Sequence, residues 1–220
     1  MKILLSTLCL FGLLNLNISA DEKLSFSILT PSAIKTLLGD FPKAGSMEEK
    51  KDYETILKYQ DTRSSDECAL ADAENSATLK SIFGGANGPL TDAEASKLEA
   101  GLLKYYAEAG ANIWLAKRTY KRPRPYDANP EIKPCIELET SYAYPSGHTT
   151  FARVFAHLLS AIYPERTKAF FEKADLSAEY RVLGGVHHPS DIVSGKKLAD
   201  ALFELMKKEK DFRKDIQSLR

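Results

Sequence analysis

The chain has 220 residues, 44% of them hydrophobic and 27% charged, enough apolar material for one buried core and too much for wholesale disorder. Thirty basic residues balance thirty acidic ones. That leaves no cationic excess with which to bind nucleic acid by bulk charge or to hold a membrane surface through a polybasic patch.

In chain order, Lys2, the apolar stretch Ile3 to Leu14 and the small residue Ala20 have the layout of a secretory signal peptide. The stretch is short for a membrane span, and Cys9 lies inside it, not at its end where a lipid would be attached. The expectation is a cleaved leader over residues 1–20 and a domain over 21–220, exported to the periplasm or secreted, with no transmembrane segment in the mature chain. Cys68 and Cys135 would then sit in an oxidising compartment that permits pairing; the sequence leaves open whether they pair.

Residues 21–46 read as irregular, interrupted by Pro31, Pro42 and Gly45. A charged periodic stretch predicts a helix from Met47 to about Tyr59. An Ala-rich stretch predicts another from Cys68 to about Phe83, stopped by the breakers Gly84 to Pro89. Thr91 with Glu94 three residues later is a capping box, and it opens a long helix to about Tyr120. Leu98, Leu102, Tyr105, Tyr106, Ala109, Ile113 and Ala116 recur there at helical spacing and mark its buried face. Pro123 and Pro125 end it, since each removes a backbone donor and disfavours helix just before it. A loop to Pro145 precedes helices at about 146–162, 164–183 and 190 to beyond 206. No alternating strand pattern of useful length occurs, so the fold class is all-α, one domain.

The chemistry concentrates late in the chain. All four histidines, His148, His157, His187 and His188, fall between positions 148 and 188. Pro145-Ser146-Gly147-His148 places a hydroxyl, a glycine and an imidazole where a helix begins, a place that favours an anion. Ser146 taken by itself reads as an N-cap. Lys117 sits in the last turn of the long helix and Arg124 between two prolines. Taken alone, Lys117 complements the helix dipole, and the run Lys121, Arg122, Arg124 is a solvated cluster. Arg181, His187 and Asp191 follow at short intervals. Asp191, in a first helical turn, can fold back on the imidazole and leave its other nitrogen as a lone-pair nucleophile. His157, at apolar spacing along a helix, reads as structural.

Three blocks follow one another: Lys117, six residues, Arg124-Pro125; then Pro145-Ser146-Gly147-His148; then Arg181, five residues, His187, three residues, Asp191. This pattern resembles the signature of the superfamily of type 2 phosphatidic acid phosphatases and vanadium haloperoxidases. Within it, the chain looks most like the class A bacterial non-specific acid phosphatases. The resemblance implies a helical bundle of that kind and a metal-independent hydrolase of small phosphate monoesters, with no cofactor. It implies Lys117, Arg124, Ser146, Gly147 and Arg181 as phosphate binders, His187 as the nucleophile that becomes phosphohistidine, Asp191 as its orienting group and His148 as general acid and base. His188 would line the pocket. The alternatives are a vanadate-dependent haloperoxidase and a soluble lipid-phosphate phosphatase; the resemblance also allows a homodimer. One departure is Tyr180, where the family often has serine, which puts a secondary hydrogen bond in question.

Overall fold

The computed structural model describes residues 28–86 and 88–220; the expected leader, residues 1–20, lies outside them. The described residues form ten α-helices: α1 (Pro31–Leu38), α2 (Met47–Thr62), α3 (Ser65–Ala73), α4 (Leu79–Phe83), α5 (Asp92–Tyr120), α6 (Pro125–Ala128), α7 (Gly147–Ile162), α8 (Thr167–Leu183), α9 (Pro189–Met206) and α10 (Phe212–Ser218). A 3₁₀ turn, Pro164–Arg166, leads into α8. No strand occurs among the described residues. The all-α architecture is as expected.

Helix α7 is the axis of the bundle, packed against α8, α9 and α5. Its sequence explains this. Ala152, Val154, Phe155, Ala156, Leu158, Leu159 and Ile162 point several ways round the helix, and all are buried. A helix that is apolar on most sides is stable only inside other helices. Leu98, Leu102, Tyr105, Ala109, Ile113 and Ala116 of α5 are buried in the same core, while Tyr106 is partly exposed and stacks on Phe151 and Phe155. Each large aliphatic side chain buried this way contributes about 1.5–3 kcal/mol. The first turn of α7 is polar instead, and it faces the functional residues.

Four expectations about helices need correction. Residues 31–38 are helical: Thr30 accepts from the Ala33 amide, and Pro31 occupies the first helical turn, where its missing N–H costs nothing. Pro31 is therefore a start signal, not a break. The Ala-rich stretch is two helices, α3 and α4, separated at residues 74–78, where Ala77 takes a positive φ of 50°. The loop before Pro145 contains the short α6, and α10 follows the last predicted helix.

Cys68 of α3 and Cys135 of the α6–α7 loop are joined in a disulfide, with Cα atoms 5.8 Å apart. It settles the pairing that the sequence left open and ties that loop to the face of α3. The loop is further held by the Cys135 amide, which donates to the Gly184 carbonyl at 3.1 Å. No helix of the described residues is long and apolar enough to cross a membrane.

Candidate active site

Four helix ends and one loop meet at the polar end of α7. Lys117 and Arg122 bracket the end of α5, where Lys121 takes the left-handed conformation that terminates the helix. Arg124 caps α6, Ser146 caps α7, Arg181 lies in the last turn of α8, and Asp191 in the first turn of α9. The turn between α8 and α9 needs Gly185, whose φ of +79° only glycine adopts without strain. That turn delivers His187 back towards Arg124.

The decisive contact is at His187. Its Nδ1 lies 3.1 Å from Asp191 Oδ2, and its Nε2 lies 2.9 Å from Arg124 Nη1. A guanidinium can only donate, so Nε2 accepts and the proton sits on Nδ1, donated to Asp191. The ring is thereby fixed in the tautomer whose Nε2 carries a lone pair. Burial, reinforced by Arg124, lowers the His187 pKa to about 3, against the opposing pull of Asp191. The imidazole is neutral through the whole weakly acid range.

Asp191 is itself held on all sides. Oδ2 also accepts from the His188 amide at 2.9 Å and faces His188 Nδ1 at 3.1 Å. Oδ1 accepts from Arg122 Nη1 at 2.6 Å. Burial opposes its charge, but the bonds from His187 and His188 and the charge of Arg122 outweigh that and keep the carboxyl well below its ordinary pKa. Arg122 continues to Asp52 Oδ2 at 3.1 Å, and Asp52 in turn accepts from the Ser190 amide at 3.0 Å. The chain Asp52–Arg122–Asp191–His187 runs from α2 to the imidazole.

Arg124 and Arg181 converge from different elements. They are 1% and 0% exposed, and both donate to Glu139, Arg124 Nη2 to Oε2 at 2.6 Å and Arg181 Nη2 to Oε1 at 2.7 Å. Arg124 also donates from Nε to the Ser141 carbonyl at 2.7 Å and from Nη1 to the Val186 carbonyl at 2.8 Å. Arg181 Nε and Nη1 and His148 Nδ1 are buried without a hydrogen-bond partner among the described residues. Unmet buried polar groups of this kind are costly and rare, and the two unmet donors of the Arg181 guanidinium call for an anion.

Lys117 is buried and donates to the Tyr142 carbonyl. Burial first, and Arg124 second, lower its pKa to about 7; an anion beside it would restore its charge. A methyl group built on Gly147 would lie 3.4 Å from Lys117 Cε and 3.1 Å from Ile113 Cγ2, so the absence of a side chain lets the start of α7 close on the lysine. Ser146 Oγ accepts from the Thr149 amide at 3.3 Å and from Thr149 Oγ1 at 2.9 Å, as an N-cap does. Its amide donates to the Asp191 carbonyl at 3.0 Å, which joins the second block to the third. His148 Nε2 is 2.8 Å from Ser177 Oγ, and burial, with Arg181 second, keeps the ring neutral well below its ordinary pKa.

All eight residues singled out by the sequence are thus brought to one place. Arg122 was read as solvated and is buried instead, because it carries the ion pairs to Asp52 and Asp191. His188 is fixed on Asp191 and edge-on to Tyr53. His157 lies apart, bonded to Asp200 at 2.8 Å and stacked on Phe203. The residue before Arg181, Tyr180, leans on the small cluster around the disulfide; the serine that reaches His148 stands one helical turn before Arg181, as Ser177. Asp52, Glu139 and Ser177 were missed, having no short motif around them. Among the described residues no group of three or more His, Cys, Asp or Glu side chains is placed to hold a metal ion.

Comparison with known proteins bears on this geometry. Residues 100–205, which contain every residue of the three blocks, match the PAP2 superfamily. Residues 100–205 are a PAP2 superfamily domain. The chain is 29% identical over 157 residues to the non-specific acid phosphatase of Salmonella typhi, covering 67% of this chain and 60% of that one. It is 28% identical over 190 residues to the non-specific acid phosphatase of Providencia stuartii, covering 82% and 77%, and 26% identical over 189 residues to the acid phosphatase of Zymomonas mobilis, covering 81% and 71%. A bacterial vanadium-dependent iodoperoxidase shares the fold at a TM-score of 0.56 and 18% identity, over 80% of this chain and 54% of that one.

Proposed function

We propose that this PAP2 protein is an exported acid phosphatase that hydrolyses small phosphate monoesters through a phosphohistidine, without a metal. The observation that carries the reading is the fixed tautomer of His187, a buried neutral imidazole with its Nε2 lone pair turned towards Arg124. The named acid phosphatases among its relatives support the reaction class.

In this reading Arg124, Arg181, Lys117 and the first-turn amides of α7 with Ser146 bind the phosphoryl oxygens, and stabilise them most as negative charge builds on them. As Arg124 Nη1 turns from His187 Nε2 to a phosphoryl oxygen, the freed Nε2 lone pair attacks phosphorus. The bond from phosphorus to the ester oxygen breaks, and His148 gives that oxygen a proton, releasing an alcohol. Asp191 stabilises the positive charge that forms on His187. His148, now neutral, takes a proton from water as the water oxygen attacks phosphorus, the P–N bond breaks, and inorganic phosphate leaves. His148 is neutral in the free protein, so it takes up its proton from solvent as the substrate binds: a phosphate dianion offsets the Arg181 charge that disfavours imidazolium.

The test is hydrolysis of p-nitrophenyl phosphate by purified protein with EDTA present. Undiminished turnover in EDTA is expected; loss of activity that zinc or magnesium restores would contradict it. Export is tested on the mature protein itself, whose mass should lack residues 1–20.

A further inference from the structure

We propose that Glu139 is a built-in occupant of the phosphoryl subsite: in the free protein it engages the two arginines that a phosphate ester needs, and phosphate binds by displacing it. This rests on the phosphatase reading above.

Each carboxylate oxygen of Glu139 is taken by a different arginine, at 2.6 Å and 2.7 Å. Arg124 at the head of α6 and Arg181 at the end of α8 share this one acceptor group. The side chain of Glu139 is 30% exposed, whereas those of the arginines are 1% and 0% exposed. It therefore enters from the solvent side, from a loop whose neighbours Leu138 and Thr140 are exposed, and it can withdraw without opening the core. Its backbone is anchored separately, by the Tyr126 hydroxyl donating to the Glu139 carbonyl at 2.8 Å.

Two buried guanidinium groups with no counter-anion would be costly, and Glu139 meets that need when no phosphate is bound. It meets it incompletely, since Arg181 Nε and Nη1 stay unpaired. A phosphate dianion presents three oxygens and more charge, so the exchange runs towards phosphate. Burial raises the Glu139 pKa, but Arg124, His187, Arg181 and Lys117 outweigh it and hold the carboxyl well below the usual carboxylate range. The occupant is therefore anionic through the ordinary carboxylate range and above it, and competes there. Its effect is to weaken the hold on every phosphate, including inorganic phosphate as product.

The test is calorimetric titration of the full mature protein with inorganic phosphate, beside p-nitrophenyl phosphate kinetics, for the wild type, Glu139→Gln and Glu139→Asp. Glu139→Gln should bind phosphate about tenfold more tightly, the factor by which an occupant engaged nine-tenths of the time dilutes the competent form. The phosphate inhibition constant and KM should fall with it. Glu139→Asp keeps the charge but is one methylene too short to reach both arginines, and should shift the same way by less. If Glu139 instead merely orients the arginines, both variants bind phosphate more weakly; that result, or no change in variants that melt like the wild type, overturns the proposal. Tightening in a protein that hydrolyses nothing would sink the phosphatase reading and leave the occupant standing. Normal turnover without tightening would do the reverse, and a wild type and a Glu139→Gln variant that both bind no phosphate and hydrolyse nothing would end both.

Discussion

Arg124 cannot accept a hydrogen bond, and this one property decides where the proton of His187 resides. The consequence is a pH profile different from that of two ordinary histidines. From the sequence, both imidazoles start near 6.5, which places the maximum at roughly pH 5–6.5. In the structure His187 is lowered to about 3 by burial and Arg124, so loss of the nucleophile does not set the acid limb until well below the ordinary histidine range. We expect kcat/KM, which reports the free protein, to keep its acid limb well below the ordinary histidine range, and kcat to fall on its alkaline limb as His148 loses its proton in the complex. Stopped assays from pH 3.5 to 8 check this; a sharp acid limb centred near 6.5 would mean that His187 titrates freely. The residues in the three blocks could be found from sequence because short spacing and rare residue types mark them. Asp52, Glu139 and Ser177 could not, because an acidic residue on a charged helix, a loop glutamate and a helical serine acquire meaning from what they face.

At the level of elements, the helices that were legible are those with a start and a stop. Thr91 with Glu94 opens α5, Pro123 and Pro125 close it, and Gly184 and Gly185 separate α8 from α9. The missed ones lacked periodicity over a useful length: α1, α6 and α10 have 8, 4 and 7 residues, and their apolar residues find their place through contacts distant in sequence. The α6–α7 loop is the weakest element by the same measure, having no helix over residues 129–146. The disulfide carries part of that burden. It closes a separation of 67 residues, for which loop-closure entropy gives about 4 kcal/mol. Cys68→Ser with Cys135→Ser should therefore lower stability by about 2–4 kcal/mol in urea unfolding and raise the KM, since the same loop positions Arg124 through Ser141 and Lys117 through Tyr142. An unaltered unfolding midpoint would show that the bond is dispensable to the fold.

For the molecule as a whole, the groups that serve chemistry work against stability in acid. His187 and His148 are neutral when folded and take up a proton when unfolded below about 6.5. Their contribution is present in full above that pH and is lost as pH falls through the window, for His187 down to about 3. The slope is up to about 1.4 kcal/mol per pH unit for each imidazole. Asp191 and Glu139, whose folded pKa values are depressed, add to the same loss below the ordinary carboxylate range. Urea midpoints should therefore drop steadily from pH 7 to pH 4, and inorganic phosphate should restore part of the loss by binding the folded form. A flat profile would mean that the buried imidazoles are not neutral.

The central claim is that His187 carries the phosphoryl group. It is tested most directly by mixing the His148→Ala variant with p-nitrophenyl phosphate, quenching in alkali and mapping the modified peptide by mass spectrometry. His148→Ala should slow turnover by about 10²–10⁴-fold, yet an activated ester needs little help to leave, so phosphoenzyme should accumulate on His187, acid-labile and alkali-stable. The same experiment on His187→Ala should give neither label nor turnover. A label on another residue, or near-normal hydrolysis by His187→Ala, would contradict the account.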